Sequence, residues 1–190
     1  MKTPSSNKTL IALAIAAGII AIRFIPHPIN CTPIGALSLF AGTVLSPLWA
    51  GLTVLSALFI GDCFCGFHST MPFVYGSFLI ALIFGNALKT KMSYLRLLCA
   101  SLSSSLAFFF ITNFGSWLTS GMYTHTLQGL IQCYLYAIPF AQSSADQIGS
   151  LLGATVFTDL LCTLALFGLY FGSSSYVTIK NLLLELNNRI

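Results

Sequence analysis

Between Gly61 and Phe73 the chain reads GDCFCGFHSTMPF, placing a carboxylate (Asp62), two thiols (Cys63, Cys65) and an imidazole (His68) within seven residues. Three chemistries use such groups: metal ligation, acid-base or nucleophilic catalysis, and ligand binding. Zinc and copper favour thiolate and imidazole, but Cys-x-Cys is not the usual Cys-x-x-Cys, and alternate residues at a helix end point apart, so no metal is expected. For catalysis the chain offers no GxSxG, no HExxH and no paired intramembrane aspartates. No catalytic residue, cofactor or enzyme activity is therefore expected, and an intramembrane enzyme using Asp62, His68 and Asp159 is the least favoured reading. The absence of GxxxxGK[ST] leaves no ATP-binding loop, so active transport by this chain would draw its energy from another polypeptide.

Asp159 stands apart, inside the apolar run from Ile148 to Phe171. At about 1.5 Å of rise per residue it falls near mid-membrane, where a carboxylate needs a partner and function is the default reading. The structural alternative is a hydrogen-bonded brace against Thr155, Thr158 or Thr163.

Only 6% of the 190 residues are charged and 56% are hydrophobic, with a mean hydropathy of +0.89, far outside the soluble range. The whole chain, 1–190, reads as one integral membrane domain of the all-α class. The net charge of +4 rests on basic residues at helix ends rather than a patch, which excludes nucleic acid as a partner and leaves the lipid bilayer as the environment. The first segment has a basic start and an apolar centre, but its apolar run continues to Ile22, which suits a retained span better than a cleaved signal.

Apolar runs cover Leu10 to Ile25, Ile34 to Leu45, Leu48 to Ile60, Phe73 to Leu88, Tyr94 to Asn113, Leu127 to Ala141 and Ile148 to Phe171. Lys2 and Lys8, then Lys89, Lys91 and Arg96, then Lys180 and Arg189 form three basic clusters that belong in the cytoplasm. An even number of crossings must separate successive clusters. Ser46-Pro47 then divides Ile34 to Ile60 into two short helices, and Leu127 to Ala141, interrupted by Gln128, Gln132 and Pro139, becomes a segment lying at or dipping into the outer face. The expected fold is a six-span helical bundle in the cell (inner) membrane with both termini cytoplasmic, outward loops or a re-entrant segment, and a short amphipathic C-terminal helix in VTIKNLLLELNNRI on the cytoplasmic surface.

With this sidedness, three segments face outward as loops: RFIPHPINCTP, the stretch holding Asp62 to His68, and NFGSWLTSGMYTHT. They bring Arg23, His27, Asn30, Asp62, His68, Asn113 and Trp117 to one side, with Tyr123, His125 and Asp146 nearby. These seven are the expected substrate-binding residues, since Arg23 or His68 could hold an anion, Asn113 can donate and accept, and Trp117 can stack a ring. Duller roles exist: an Arg23–Asp62 ion pair, loop hydrogen bonds for His27 and His68, and an aromatic belt for Trp117.

The segments RFIPHPINCTPIGALSLFAG, DCFCGFHSTMPFVYGSF, ITNFGSWLTSGMY and CYLYAIPF resemble a family of uncharacterised bacterial integral membrane proteins sharing HP-N-TP-GA, GFH, P-VY and NF-W motifs. More remotely, six short spans with a small-xxx-small first helix resemble the substrate-binding (S) components of energy-coupling factor vitamin transporters. That resemblance implies a subunit that captures a small metabolite or vitamin and works with a membrane coupling subunit and ATPases, which it meets through an Ala-x-x-x-Ala element matched by Ala12 and Ala16. The alternative is a non-transport scaffold or assembly factor. Within the chain, the same small residues could instead serve bundle packing.

The basic clusters make one testable statement about sidedness. In a cysteine-free background, a thiol introduced at Ser69 is labelled by an impermeant reagent added outside and one at Thr90 is not; the reverse pattern overturns the topology.

Overall fold

A computed structural model of the chain describes residues 6–26, 32–137 and 155–172. His27, Asn30, Asp146 and the expected C-terminal helix lie outside the described residues. Those described form seven helices: α1 (Ser6–Ile22), α2 (Ile34–Val44), α3 (Pro47–Cys65), α4 (Met71–Leu88), α5 (Tyr94–Thr119), α6 (Leu127–Ala137) and α7 (Thr155–Gly172). Local chemistry sets the breaks. Ser46 is extended and Pro47, which has no N–H to lose, opens α3. Gly66 ends α3 at φ +98°, a conformation few other residues adopt. Ser93 accepts the Arg96 N–H at 3.3 Å and caps α5.

Helices α3, α4, α5 and α7 are long and apolar enough to cross a membrane. At 11 residues α2 is not, since it spans about 16 Å against about 30 Å of hydrocarbon. Nine of its residues are nevertheless buried, and it packs most extensively on α4. Glycines allow the approach. A Cβ at Gly42 would lie 2.3 Å from the Leu82 carbonyl oxygen, and one at Gly85 would lie 2.1 Å from that of Leu39. The Thr43 hydroxyl reaches the Gly85 carbonyl at 3.0 Å across the same contact. Small residues bringing helix backbones together are the usual means of association where lipid removes the hydrophobic drive.

Lys89, just beyond α4, donates from Nζ to the Leu45 carbonyl at the C-terminal end of α2 and to Asn86 Oδ1 at 3.0 Å. Burial pushes the Lys89 pKa down, and the neighbouring charge of Lys8 adds to the effect. Lys8 and Lys89 therefore share one end of the bundle, where Arg96 also bonds the Lys91 carbonyl. This basic end is the reference level for depth.

Three details differ from the sequence expectation. Asp62, Cys63 and Cys65 stand on the last turn of α3 rather than in a loop, because the apolar helix continues to Gly66 before anything stops it. Asn113 and Trp117 likewise belong to α5, which runs on to Thr119. The expected surface segment begins as α6, which folds back along α5: Trp117 Nε1 donates to the Thr124 carbonyl, Cys133 to that of Asn113 and Tyr134 to that of Phe110. On α1, Ala12 and Ala16 pack against the chain's own core, while Leu10, Leu13, Ala14, Ala17 and Ala21 face outward.

Because backbone meets backbone at the α2–α4 crossing, Gly85→Ala is expected to lower stability by about 3 kcal/mol or more. Gly76→Ala, on the same helix with nothing within 4 Å, should change it by less than about 1 kcal/mol. Denaturant unfolding in mixed micelles compares the two, and equal effects would remove the close contact from the account.

Candidate functional site

Helix α2 starts in the interior of the bundle. Counting about 1.5 Å per residue from the basic end, Ser77 on α4 lies about 18 Å up from Lys89, Ser105 on α5 about 16 Å up from Tyr94, and Asp159 on α7 about 20 Å up from Gly172. Asp159 reaches the first turn of α2 directly, Ser105 bonds Asp159, and Ser77 lines the same space as Gly35. A chamber of about 120 Å³ opens there, lined by Thr32 and Gly35, by Ser77, Phe78 and Ala81 of α4, by Ser104 and Phe108 of α5, and by Thr155 and Asp159 of α7. A second, mainly apolar cavity lies at the basic end between Tyr94, Leu97, Phe167 and Phe171.

Asp159 is 4% exposed. Its Oδ1 accepts the Ala36 backbone N–H at 3.1 Å and its Oδ2 accepts the Ser105 hydroxyl at 2.7 Å. Ala36 is the third residue of α2, so the carboxylate from a distant helix satisfies an N–H that an α-helix leaves unpaired and sits at the positive end of its dipole. Gly35 makes this possible: a Cβ there would lie 2.5 Å from both carboxylate oxygens. Ser105 and the α2 backbone hold Asp159, and Thr163, one of the partners expected from sequence, accepts from Ser101 at 3.3 Å.

Ser105 has one hydrogen and two acceptors in reach, Asp159 Oδ2 and the Ser101 carbonyl at 3.1 Å. With the hydrogen on the carboxylate side, Asp159 is held ionised. With the hydroxyl turned to Ser101, its oxygen can accept from a protonated carboxyl. Both protonation states fit the same heavy-atom positions.

The group expected to face outward is arranged differently. Asp62, 1% exposed, pairs with the Arg23 guanidinium and accepts the Tyr75 hydroxyl at 2.6 Å, joining the end of α1 to α3 and α4. Arg23 lies over Gly61, where a Cβ would stand 3.1 Å from Cγ and Nε. The His68 ring nitrogen Nδ1 and Thr70 Oγ1 are 2.8 Å apart; desolvation, then the Arg23 charge, pushes the His68 pKa down, so it brings no positive charge at neutral pH. Asn113 donates to the Phe109 carbonyl of its own helix at 2.8 Å, and Trp117 stacks edge-on with His125. Arg23, Asp62 and His68 thus come together, Asn113 and Trp117 form a separate group with α6, and none of the five lines either cavity. Tyr75 and Ser77, two residues apart on α4, put the ion pair and the chamber on different faces of that helix.

Among comparisons with known proteins, the family of unknown function DUF6580 matches residues 3–179. The chain belongs to that family. No curated protein and no solved structure matches this member of DUF6580. The match covers every described helix, so chamber and ion pair both fall inside the family region. Among the described residues of this DUF6580 chain, no three His, Cys, Asp or Glu converge as metal ligands.

Apart from Asp159 and Thr155, the chamber residues were not singled out by sequence reasoning. Their signal was polar groups at one depth: Ser77 in α4 and Ser104-Ser105 in α5, each about as far from its basic helix end as Asp159 is from Gly172. The ion pair yields a separate test. Arg23→Gln, leaving Asp62 buried without its charge partner, should cost about 3 kcal/mol, while Tyr75→Phe costs about 1.5 kcal/mol. The double change Arg23→Leu with Asp62→Leu should recover most of the loss. Unfolding measurements giving equal costs for the two single variants would show that the charge pairing is not what matters there.

Proposed function

We propose that this membrane protein is a substrate-capture subunit for uptake of a small metabolite, with the Asp159 chamber as its binding place. The observation carrying this reading is a half-length helix whose N-terminal end opens at mid-depth onto a chamber that holds a buried carboxylate. Irregular backbone at that depth is tolerated where it is buried in protein or lines a cavity, and broken helices in transporters place their ends at the substrate. The group expected to face outward suits this role less well, since Arg23 is already neutralised by Asp62 and His68 is uncharged.

Size narrows the substrate. Cavities of about 150 Å³ accept benzene, so a chamber of about 120 Å³ takes a molecule of about five or six heavy atoms and not a whole vitamin. Without an ATP-binding loop in the sequence, transport would use a separate coupling subunit and ATPases, as in energy-coupling factor systems. The inward-packed Ala12 and Ala16 leave Leu10, Leu13, Ala14 and Ala17 as the α1 surface such a subunit would meet.

Filling the chamber tests the reading. Ala81→Leu occupies the space without touching the Asp159 hydrogen bonds. Mass spectrometry of small molecules released from purified protein should find one below about 150 Da, the range of five or six heavy atoms plus a margin, with wild type and not with Ala81→Leu of equal thermal stability. Release of nothing from wild type, together with unchanged uptake of every tested metabolite by cells lacking the protein, would favour the scaffold alternative.

A further inference from the structure

The hydroxyl hydrogens of the two serines that line the chamber are already committed, and this bears on what can enter. Ser77 donates its hydroxyl hydrogen to the Phe73 carbonyl at 2.7 Å, and Ser104 donates to the Ala100 carbonyl. Each serine has a single hydrogen, so each turns only lone pairs toward the chamber. Asp159 receives its two hydrogen bonds on different oxygens, and an ionised carboxylate has about four lone-pair positions, so acceptor capacity remains on that side as well. Two serine oxygens and one carboxylate thus face the chamber with acceptor capacity left for donors and for positive charge.

Thr32, Gly35 and Thr155 complete the rim beside α2 and α7, and the walls away from them are apolar. Phe78 and Phe108 stand 5.2 Å apart between ring centroids at 36°, with Ala81 beside them. Such faces suit a hydrocarbon body and attract a neighbouring cation. An anion would meet the Asp159 charge and two oxygen acceptors, and a neutral alcohol would supply one donor where three acceptors face it.

We infer that the chamber takes a small primary ammonium ion, its three N–H groups directed to Asp159, Ser77 and Ser104 and its short hydrocarbon body against Phe78 and Phe108. This rests on the capture reading for its biological sense, but the binding chemistry stands apart from transport.

Calorimetric titration of the purified full chain in an amine-free potassium buffer at pH 7 tests it with four probes: butylammonium, 1-butanol, butyrate and sodium. Butylammonium should bind, and the alcohol and the carboxylate should not. Asp159→Asn, whose amide oxygen can still accept from the Ala36 N–H, should weaken butylammonium by about 30-fold or more, and Ala81→Leu should abolish binding while Asp159 keeps its place. Butanol binding as tightly as butylammonium, an affinity within about twofold of wild type in a folded Asp159→Asn, or sodium binding that butylammonium does not displace would each overturn the inference. Binding of butyrate or butanol that Ala81→Leu abolishes would reject the ammonium class while leaving capture intact. Failure of butylammonium to bind a wild type that releases a bound metabolite rejects the class in the same way, and failure with an empty wild type rejects both.

Discussion

The two ends of α2 are where this fold is decided. A helix of 11 residues is too short to be stable alone, and it leaves unpaired N–H groups at one end and carbonyls at the other. Inside a membrane protein neither set has free access to water. The fold resolves this with charge: the Asp159 carboxylate receives an N–H of the first turn, and the Lys89 ammonium reaches the carbonyl of Leu45. Both charges also complement the helix dipole, an effect worth up to about 2 kcal/mol in partly buried settings. The arrangement requires α7 to deliver Asp159, α5 to hold it through Ser105, and α4 to end at the depth where Lys89 meets Leu45.

Charge bookkeeping separates the two polar regions. In the cluster at the end of α3 one cation meets one anion and a phenol donates to the same carboxylate, so Arg23, Asp62 and Tyr75 offset one another in charge and tie three helices. Among the described residues Asp159 has no charged partner, and it is held by a backbone N–H and a hydroxyl. A completed ion pair makes a good clasp. A carboxylate held by neutral donors keeps its charge available to something else.

Much of the framework was legible in the amino-acid string. Composition identified a membrane protein of apolar helices, and the reluctance of Pro47 to lie within a helix located the break between α2 and α3. The singular cost of a mid-membrane carboxylate pointed to Asp159. What could not be read is equally specific. Nothing local marks the Ala36 N–H as the partner of a residue 123 positions away, and Ser77, Ser104 and Ser105 look like ordinary small helix residues until three helices are set at one depth. Polar letters near the ends of apolar runs were read as loops, although Asp62 and Asn113 lie on helices whose apolar character simply outlasts them. Depth, a property of the assembled bundle, was the missing variable.

The glycine crossing of α2 and α4 decides which parts of the molecule can move against which. Where the Leu82 and Leu39 carbonyls rest against Gly42 and Gly85, no side chain lies between the helices to change rotamer and allow sliding, and Thr43 and Lys89 stitch the same seam. These two helices form a single stator. Helix α7 meets it through side chains, with Phe40 edge-on to the rings of Phe167 and Tyr170 and with Asp159 at the other end. Rings in edge contact can roll by small angles, as in shear motions between packed helices. The aromatic cluster and the carboxylate are thus two side-chain contacts through which α7 bears on the α2–α4 pair, in contrast to the backbone contact within that pair.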